Sequence, residues 1–295
     1  TLWYFNAVYS YFQKTKDRQF VLEEILPVLK NIIEWHFKGT RYHIHVDSDG
    51  LLYAGEPGQQ LTWMDARIGN RVVTPRMGKP VEIEALWYNA LKIIETLLVM
   101  KGEQDEANEI AEKAALAKKS FEEKFWFPEG GYMIDVIDPD GKPDYSIRPN
   151  QVFALSLPFH LTEGEKAKSV MHILHSKLYT TAGLRSLSPE NPEYKGHYGG
   201  STFLRDSAYH QGTVWSWLLG PFIEAGMKTE GESFRKKAAE MIAQFSNHLN
   251  EGCIGSVSEI FDGDAPHQPR GCVAQAWGVA EILRVIKTYS LKVDG

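Results

Sequence analysis

The chain alternates helical segments with long irregular ones, and this alternation restricts its fold more than any other feature. Apolar residues recur at helical spacing in the segments 1–15, 20–38, 82–101, 105–124, 150–157, 163–177, 210–225, 230–249 and 270–288. Irregular stretches separate several of them, at 126–148, 180–208 and 250–269. Loops longer than about 12–15 residues are uncommon in compact domains and tend to be functional. We therefore predict an all-α scaffold, one domain over 1–295, whose long loops build a single site.

Short strands interrupt the helical pattern in two places. Residues 42–46 and 51–53 flank the turn-forming run Asp47–Gly50, which predicts a β-hairpin. Further short strands are predicted near 132–136, after the turn-forming residues 128–131.

Composition excludes several classes of function. The net charge of -6 argues against a protein whose main task is to bind nucleic acid. No run of apolar residues is long enough to predict a membrane span. Cys253 and Cys272 stand outside any metal-binding spacing, so we predict two buried free thiols and a reducing cytoplasm. No motif calls for a cofactor.

Aromatic residues make up 12% of the chain, with eight Trp. Large aromatic side chains usually dominate a core. Flat aromatic faces also bind the C–H faces of sugar rings, so position has to separate the two interpretations.

The first motif with chemical potential is Thr62–Arg67, in which Asp65 stands two residues from both Trp63 and Arg67. A neighbouring cation lowers the pKa of a carboxyl group, whereas desolvation beside an aromatic ring raises it. Taken alone, the motif is better explained by an Asp–Arg pair on a surface loop than by a catalytic acid.

The second motif lies at the start of the predicted helix 82–101. Glu84, Trp87 and Tyr88 are spaced by three and four residues and share a helix face. Acidic residues are favourable in a first helical turn, which explains Glu82 and Glu84 without any function. The aromatic neighbours are less well explained, which makes Glu84 and Trp87 candidates for substrate binding.

The third motif, Arg148-Pro149-Asn150-Gln151, enters a predicted helix. Asn150 and Gln151 are suited to cap that helix. They are equally suited to hydrogen-bond sugar hydroxyls, and the sequence does not separate these roles.

The fourth motif is the run Tyr209–Trp217, which contains His210, Gln211 and Trp215. Gly212 permits close approach of a backbone. One of its two Trp side chains is expected to pack in the core, and the other is a candidate to stack under a sugar.

The fifth motif lies near the end of the chain. Glu259 alternates in phase with Val257 and Phe261, as in a short strand that faces a site or the core. A buried Glu needs a partner or a task. Asp262 follows in a turn, and Trp277 adds an aromatic residue.

Each motif is weak alone, but their order is informative. An acid with Trp and Arg comes first, an acid with aromatic residues comes last, and Trp, His, Gln and Asn lie between. This order suits glycoside hydrolysis, in which two carboxyl groups flank the scissile bond.

These motifs resemble the amylo-α-1,6-glucosidase domain of glycogen debranching enzymes. The resemblance covers essentially the whole chain and is carried by Trp63–Arg67, Val81–Leu91, Tyr209–Trp215, Glu259–Gly263 and Pro269–Trp277. More distantly, the order is similar to trehalases and processing α-glucosidases. The resemblance implies an (α/α)6 barrel, inverting chemistry, and an α-glucan or oligosaccharide substrate.

The resemblance also implies residue roles. Asp65 matches the general acid and Glu259 the general base, with Asp262 as the alternative base. The substrate-binding candidates are Trp63, Arg67, Glu84, Trp87, Asn150, Gln151, His210, Gln211, Trp215 and Trp277.

Two departures accompany the resemblance. Ser216 stands where the family more often has Pro, which concerns the start of a helix. The nine predicted helices are fewer than the twelve of a barrel of six pairs, and Thr1 is not an initiator Met. We therefore expect a barrel that is incomplete at its N-terminus, within a longer protein.

Three alternatives remain open. A sugar epimerase or isomerase on the same barrel type would use paired histidines, of which only His210 lies in a convincing motif. A catalytically inactive carbohydrate-binding fragment is the second. The third is a metal site at His43, His45 and Asp47, although a solvated strand explains these residues better and we expect no metal.

Overall fold

The computed structural model describes residues 1–292, and helices make up 54% of it. Its α-helices are α1 (Leu2–Thr15), α2 (Leu26–Lys38), α3 (Val81–Lys101), α4 (Gln104–Lys124), α5 (Phe153–Ser156), α6 (Gly164–Ile173), α7 (Thr202–Ala208), α8 (Leu219–Glu230), α9 (Arg235–Ser246) and α10 (Ala276–Tyr289). Single π-helical turns, Phe20–Ile25 and Leu174–Leu178, adjoin α2 and α6. The 3-10 turns are Arg41–His43, Pro149–Val152, Ser216–Leu218, Gly231–Phe234 and Asn247–Asn250.

Helix α3 lies at the centre of the core and packs against α1, α2, α4 and α5. Its sequence is apolar on nearly every face, and most of its residues are buried. Burying each Leu or Ile side chain stabilises the fold by roughly 1.5–3 kcal/mol. Gly102 ends the helix in the left-handed conformation, at φ 89°, and its N–H donates to the carbonyl oxygen of Leu98. This glycine cap lets α4 return along α3 as a helical hairpin.

Short strands form small sheets at the ends of the helices. The strands are β1 (His45–Val46), β2 (Leu52–Tyr53), β3 (Arg67–Ile68), β4 (Arg71–Val72), β5 (Lys79–Pro80), β6 (Trp126–Phe127), β7 (Tyr132–Met133), β8 (Val136–Ile137), β9 (Pro143–Asp144), β10 (Tyr179–Thr180), β11 (Gly183–Arg185), β12 (Val214–Trp215), β13 (Ile260–Phe261) and β14 (Pro269–Arg270). Pairs β1–β2, β3–β4 and β6–β7 stand alone, and β5–β8–β9 form a three-stranded sheet.

The largest sheet joins three distant parts of the chain in the antiparallel order β10-β11-β12-β13-β14. Trp215 of β12 lies opposite Ile260 of β13, and Ile260 lies opposite Arg270 of β14. This register brings the fourth and fifth sequence motifs side by side.

The predicted hairpin at 42–53 and the strands near 132–136 are confirmed as β1–β2 and as β7 and β8. The predicted helix-rich scaffold is confirmed, but the chain carries more sheet than an all-α fold, which was not predicted because strands of two or three residues are too short for a visible alternation in sequence. The closed (α/α)6 barrel, the missing N-terminal helices and the single domain stay predictions, and 293–295 lie outside the described residues.

Two segment predictions are wrong. The helix predicted over 210–225 begins only at Leu219, because Gly212 adopts φ 142° and the chain then enters β12. The stretch 180–208, expected to be irregular, contains α7, in which the side chain of Ser201 caps the backbone N–H of Leu204. No helix within residues 1–292 combines the length and apolar character needed to cross a bilayer.

Candidate active site

Glu259 directly precedes β13 and is held by the neighbouring strand. Its backbone N–H donates to the carbonyl oxygen of Cys272, 2.9 Å away, just beyond β14. Only 9% of the residue is exposed. A carboxylate buried this far needs hydrogen-bond donors.

Two donors meet the Glu259 carboxylate. The Tyr209 hydroxyl donates to Oε1 over 2.6 Å, and the backbone N–H of Cys272 donates to Oε2 over 2.9 Å. Gly271 makes the second bond possible. A Cβ at that position would lie 2.4 Å from Oε2, and the backbone there has φ 66°. Only glycine fits both demands.

Asp65 is presented differently, as an exposed residue between the buried residues Met64 and Ala66. Its two flanks are tied to the interior. Trp63 Nε1 donates to Asn150 Oδ1 over 2.7 Å, and the backbone N–H of Ala66 donates to His210 Nδ1 over 3.4 Å. The loop is thus fixed while the carboxyl group stays accessible.

The pKa of the Asp65 carboxyl group responds to its own burial and to the charge of Glu259. Partial burial raises the pKa of Asp65, a bond from its own backbone N–H lowers it, and the negative charge of Glu259 raises it again, so that the net shift is upward. Asp65 therefore favours the protonated form more than an isolated Asp does. Among the ion pairs of residues 1–292, none joins Asp65 to Arg67, so the surface Asp–Arg pair is not formed.

Aromatic rings surround Trp63. The rings of His210, Trp215 and Trp217 meet it edge to face, with centroids 5.2–5.3 Å away. Trp217 stacks on Trp277 at 4.7 Å. Trp277 keeps 37% of its surface exposed, and Trp215 is buried.

A cavity of about 340 Å³ opens beside this aromatic cluster. The volume is within the range of small-ligand pockets. Its aromatic walls include Trp63, Trp217 and Trp277, and Arg284 forms ion pairs with Glu224 and Glu281 at its edge. Asp65 and Glu259 do not line this cavity. Trp63 lines it and also belongs to the loop that carries Asp65, called the acid loop below.

A network of buried charged residues holds Trp63 through Asn150. The Arg76 guanidinium pairs with Glu82 and, at 2.9 Å, with Asp135. Asn150 Nδ2 donates to Asp135 Oδ1 over 2.7 Å, and the other end of the Asn150 amide holds Trp63. Burial alone would lower the pKa of Arg76, but the two carboxylates raise it.

Arg148 is the second buried cation of this network. It donates to the carbonyl oxygens of Ser186 and His210 over 3.1 and 2.8 Å, and its Nε lies 3.8 Å from Asp135. With two arginines and two carboxylates, the buried charges balance. Sequence reasoning missed Arg76 and Asp135. A charged residue between Ile134 and Val136, inside an apolar predicted strand, was the available signal for Asp135.

Asp262, the alternative base, is fully engaged. Arg270 pairs with it at 2.9 Å, the backbone N–H of Tyr198 donates to Oδ1 over 2.8 Å, and His197 contacts Oδ2 at 3.1 Å. Burial would raise the pKa of Asp262, but these donors outweigh it and lower the pKa. These contacts make Asp262 an anchor of its loop.

Glu84 and Trp87 are a correction, because the structure buries them under the β1–β2 hairpin. Glu84 Oε2 accepts from the backbone N–H of Leu52 over 3.0 Å, and Trp87 Nε1 donates to the carbonyl oxygen of Gly50 over 3.0 Å. Burial raises the pKa of Glu84 well above its usual range. Neither side chain is open to a ligand, so both hold the hairpin on α3.

Asn150 and Gln151 neither cap a helix nor face solvent. Asn150 joins Asp135 to Trp63, and Gln151 Oε1 accepts from the backbone N–H of Met133 over 3.1 Å. Gln151 Nε2 donates to the carbonyl oxygen of Arg148. Both are buried supports of the site, which corrects their expected contact with sugar hydroxyls.

His210 and Gln211 are likewise internal. His210 is fully buried and stacks on Trp215 at 5.1 Å, and burial, followed by the charge of Arg148, lowers its pKa well below the usual value. Gln211 accepts from Arg148 over 2.6 Å and donates to Glu193 over 3.2 Å. Arg67 is exposed and holds the β3–β4 turn by donating to the carbonyl oxygen of Gly69.

The cysteines are free, but the expectation that both are buried is wrong. Cys253 is half-buried and Cys272 is exposed, because both lie in loops around Glu259 rather than in the helical core. His45 bonds to Asp47 through Nε2, at 2.9 Å. Within the described part of the chain, no group of three His, Cys, Asp or Glu side chains is arranged to hold a metal ion.

A relative, the glycogen debranching enzyme of Saccharomyces cerevisiae, is 30% identical over 64% of this chain, which spans 15% of that enzyme's length.

Two solved structures share the fold at 17% identity. They are a GH78 family rhamnosidase from a Bacillus species (TM-score 0.60, 98% of this chain, 26% of that chain) and a GH63 mannosylglycerate hydrolase from Thermus thermophilus (TM-score 0.52, 71% and 46%). The helix-rich fold is therefore one that glycosidases use. The family model described as amylo-alpha-1,6-glucosidase matches residues 1–284, and the chain belongs to this glycosidase family.

Proposed function

We propose that this chain is the catalytic core of an inverting glycoside hydrolase that removes glucose from α-1,6 branch points of glycogen or limit dextrin. Asp65 is its general acid and Glu259 its general base. One observation carries the proposal: the Asp65 carboxyl group is exposed, with a pKa raised by partial burial and by the charge of Glu259, whereas both oxygens of the Glu259 carboxylate accept hydrogen bonds.

The chemistry follows from the different surroundings of the two groups. Protonated Asp65 donates its proton to the glycosidic oxygen as the bond to the sugar carbon breaks. Ionised Glu259 takes a proton from a water molecule that attacks that carbon from the opposite face. The raised pKa of Asp65 favours the protonated form that a general acid needs, and the two donors to Glu259 hold its carboxylate in place. Inversion requires the carboxyl groups to stand roughly 6.5–9.5 Å apart, with room for the water.

The substrate class is supported by the family and by the glycogen debranching enzyme that the chain resembles. Trp63, Arg67 and Trp277 remain the proposed substrate contacts, because each keeps exposed surface near the acid loop or the cavity. Trp215 serves beneath them as a buried support. The proposal includes a closed (α/α)6 barrel in the full-length protein and a location in the cytoplasm, where its free thiols would stay reduced.

An epimerase or isomerase is less well supported. His210, the histidine in the best motif, is buried, has a depressed pKa and uses Nδ1 to hold Ala66. Proton abstraction from a sugar needs an accessible base with a pKa near the working pH.

The test is product analysis on branched limit dextrin with the full-length protein. We expect release of glucose that appears first as the β-anomer in proton NMR, because inversion converts an α-linkage. Asp65→Asn and Glu259→Gln should each lower the rate by about 10²–10⁴-fold. Asp264→Asn is the matched control, since this exposed residue of the Glu259 loop accepts from Tyr194 through one oxygen that Asn retains.

Near-normal glucose release by Asp65→Asn contradicts the assignment of the acid. Retention of the α-anomer contradicts the inverting mechanism. Tight binding of oligosaccharides without turnover in the full-length protein would favour the inactive carbohydrate-binding alternative.

A further inference from the structure

The backbone that carries Glu259 lies just outside the regular sheet ladder. Strand β12 pairs with β13 through Val214 opposite Phe261 and Trp215 opposite Ile260. After Trp215 the chain turns into the 3-10 turn Ser216–Leu218 and leaves the sheet. The carbonyl groups of Ser258 and Glu259 therefore have no further ladder partner in β12.

The Ser216 side chain supplies a hydrogen-bond donor to these carbonyl groups. Its hydroxyl is fully buried and lies 3.0 Å from the carbonyl oxygen of Ser258 and 3.4 Å from that of Glu259. Helix α10 closes over it at Gly278, where a Cβ would come within 2.8 Å of Ser216 Oγ. A proline at position 216 could not donate this bond.

Tyr209 holds the side-chain carboxylate of Glu259, whereas Ser216 contacts its backbone. The Tyr209 hydroxyl donates to Glu259 Oε1, and its ring packs on Trp215 at 4.9 Å and on His210 at 4.8 Å. Its carbonyl oxygen accepts from Trp215 Nε1 over 3.1 Å. Burial and the bond to Glu259 raise the pKa of Tyr209, so the phenol stays protonated and remains a donor throughout the neutral range.

We propose that Tyr209 and Ser216 are positioning residues for Glu259, with Tyr209 fixing the carboxylate and Ser216 fixing the backbone from which it projects. This inference rests on the proposed function, because it takes Glu259 as the general base. Neither residue needs to touch the substrate.

The two residues should fail in different ways. In Tyr209→Phe the carboxylate loses one of its two donors and can rotate, and a misplacement of about 1 Å can cost about 10²-fold in rate. KM should hardly change, because substrate binding does not use the phenol. A loss confined to kcat per folded enzyme, with KM unchanged, separates positioning of Glu259 from a general loss of folded protein.

In Ser216→Ala the carboxylate keeps both donors and only its backbone is released. We expect kcat to fall roughly tenfold, in line with the loss of one buried hydrogen bond. Tyr198→Phe is the matched control for Tyr209→Phe. The Tyr198 ring lies 5.7 Å from Tyr209, and the described hydrogen bonds give its hydroxyl no link to Glu259.

The experiment combines kinetics on limit dextrin with crystal structures of both variants of the full-length protein. The expected structures show a rotated Glu259 carboxylate in Tyr209→Phe and a shifted backbone at 258–259 in Ser216→Ala. Variants with the wild-type Glu259 position and wild-type kcat overturn the inference, even where Glu259→Gln abolishes activity and the proposed function stands. If Glu259→Gln keeps full activity, the proposed function fails instead, and the structures alone then decide whether the two residues position Glu259.

Discussion

The loop that carries Asp65 and the strand edge that carries Glu259 hold their carboxyl groups in opposite ways. Asp65 is exposed, and the structure restrains its neighbours Trp63 and Ala66 rather than its carboxyl group. Glu259 is nearly buried, and both of its carboxylate oxygens accept hydrogen bonds. Donors to a carboxylate favour its ionised form, whereas desolvation and a neighbouring negative charge favour protonation. The proposed roles of Asp65 as general acid and Glu259 as general base rest on this difference in surroundings.

The loop that carries Asp65 depends on the buried ion pairs of Arg76, which hold Trp63 in place through Asn150. Removing the Arg76 charge should have the largest effect on stability. Arg76→Met leaves Glu82 and Asp135 buried without their main cation, and breaking a buried pair in this way costs about 3–5 kcal/mol. Chemical denaturation of the full-length protein measures the loss, and activity should fall with it as Trp63 is released.

Arg284→Met provides the control for that prediction. Arg284 pairs with Glu224 and Glu281, but its side chain is 37% exposed, so solvent screens these pairs and their loss should destabilise the protein less than loss of the fully buried Arg76 pairs. Equal losses of stability in Arg76→Met and Arg284→Met would show that the buried ion pairs of Arg76 stabilise the fold no more than the partly exposed pairs of Arg284.

The position of the Glu259 carboxylate depends on a close approach to the backbone at Gly271, which Gly271→Ala tests. The added Cβ would come 2.4 Å from Glu259 Oε2, so the carboxylate has to move. An alanine at φ 66° also strains the backbone, and together these effects should cost about 1–3 kcal/mol and most of the activity.

Gly255→Ala separates the two contributions. Gly255 has φ 77° but nothing within 4 Å of an added Cβ, so it shares the backbone strain without the clash. We expect it to lose stability and keep its kcat. A matching loss of kcat in Gly255→Ala would mean that strain, and not displacement of Glu259, inactivates the site.

The same contrast shows what the sequence could predict. The long periodic helices α1, α3 and α4 follow from apolar spacing, because a helix that buries one or more faces repeats that pattern over many residues. Sheet β10–β14 could not be predicted, since its pairing is set by contacts between segments far apart in sequence. Asp65 and Glu259 stood out only through their order along the chain.

Local composition misled where it resembled a site. Glu84 with Trp87 and Asp65 with Trp63 look alike as sequence, an acid beside a tryptophan. Tertiary packing makes one pair a support of the β1–β2 hairpin and leaves the other at an accessible loop. Asn150 was found for the wrong reason, because its partner Asp135 lies between β7 and β8, outside the segment around Asn150, and no local pattern reports such a contact.

The smallest expected effect concerns the pH dependence of stability at Asp65. Its pKa is raised in the folded protein, so folding favours the protonated form, and ionisation weakens the native state as pH rises through the interval between the unfolded and folded values. Asp65→Asn removes that cost. The variant should therefore melt slightly above wild type at neutral pH and together with wild type at a pH below the unfolded value, while it loses activity. Glu259→Gln should narrow the difference at neutral pH, because it removes the charge that opposes ionisation of Asp65. Thermal melts of the single and double variants at both pH values measure this coupling, and additive effects would mean that the two carboxyl groups do not sense each other.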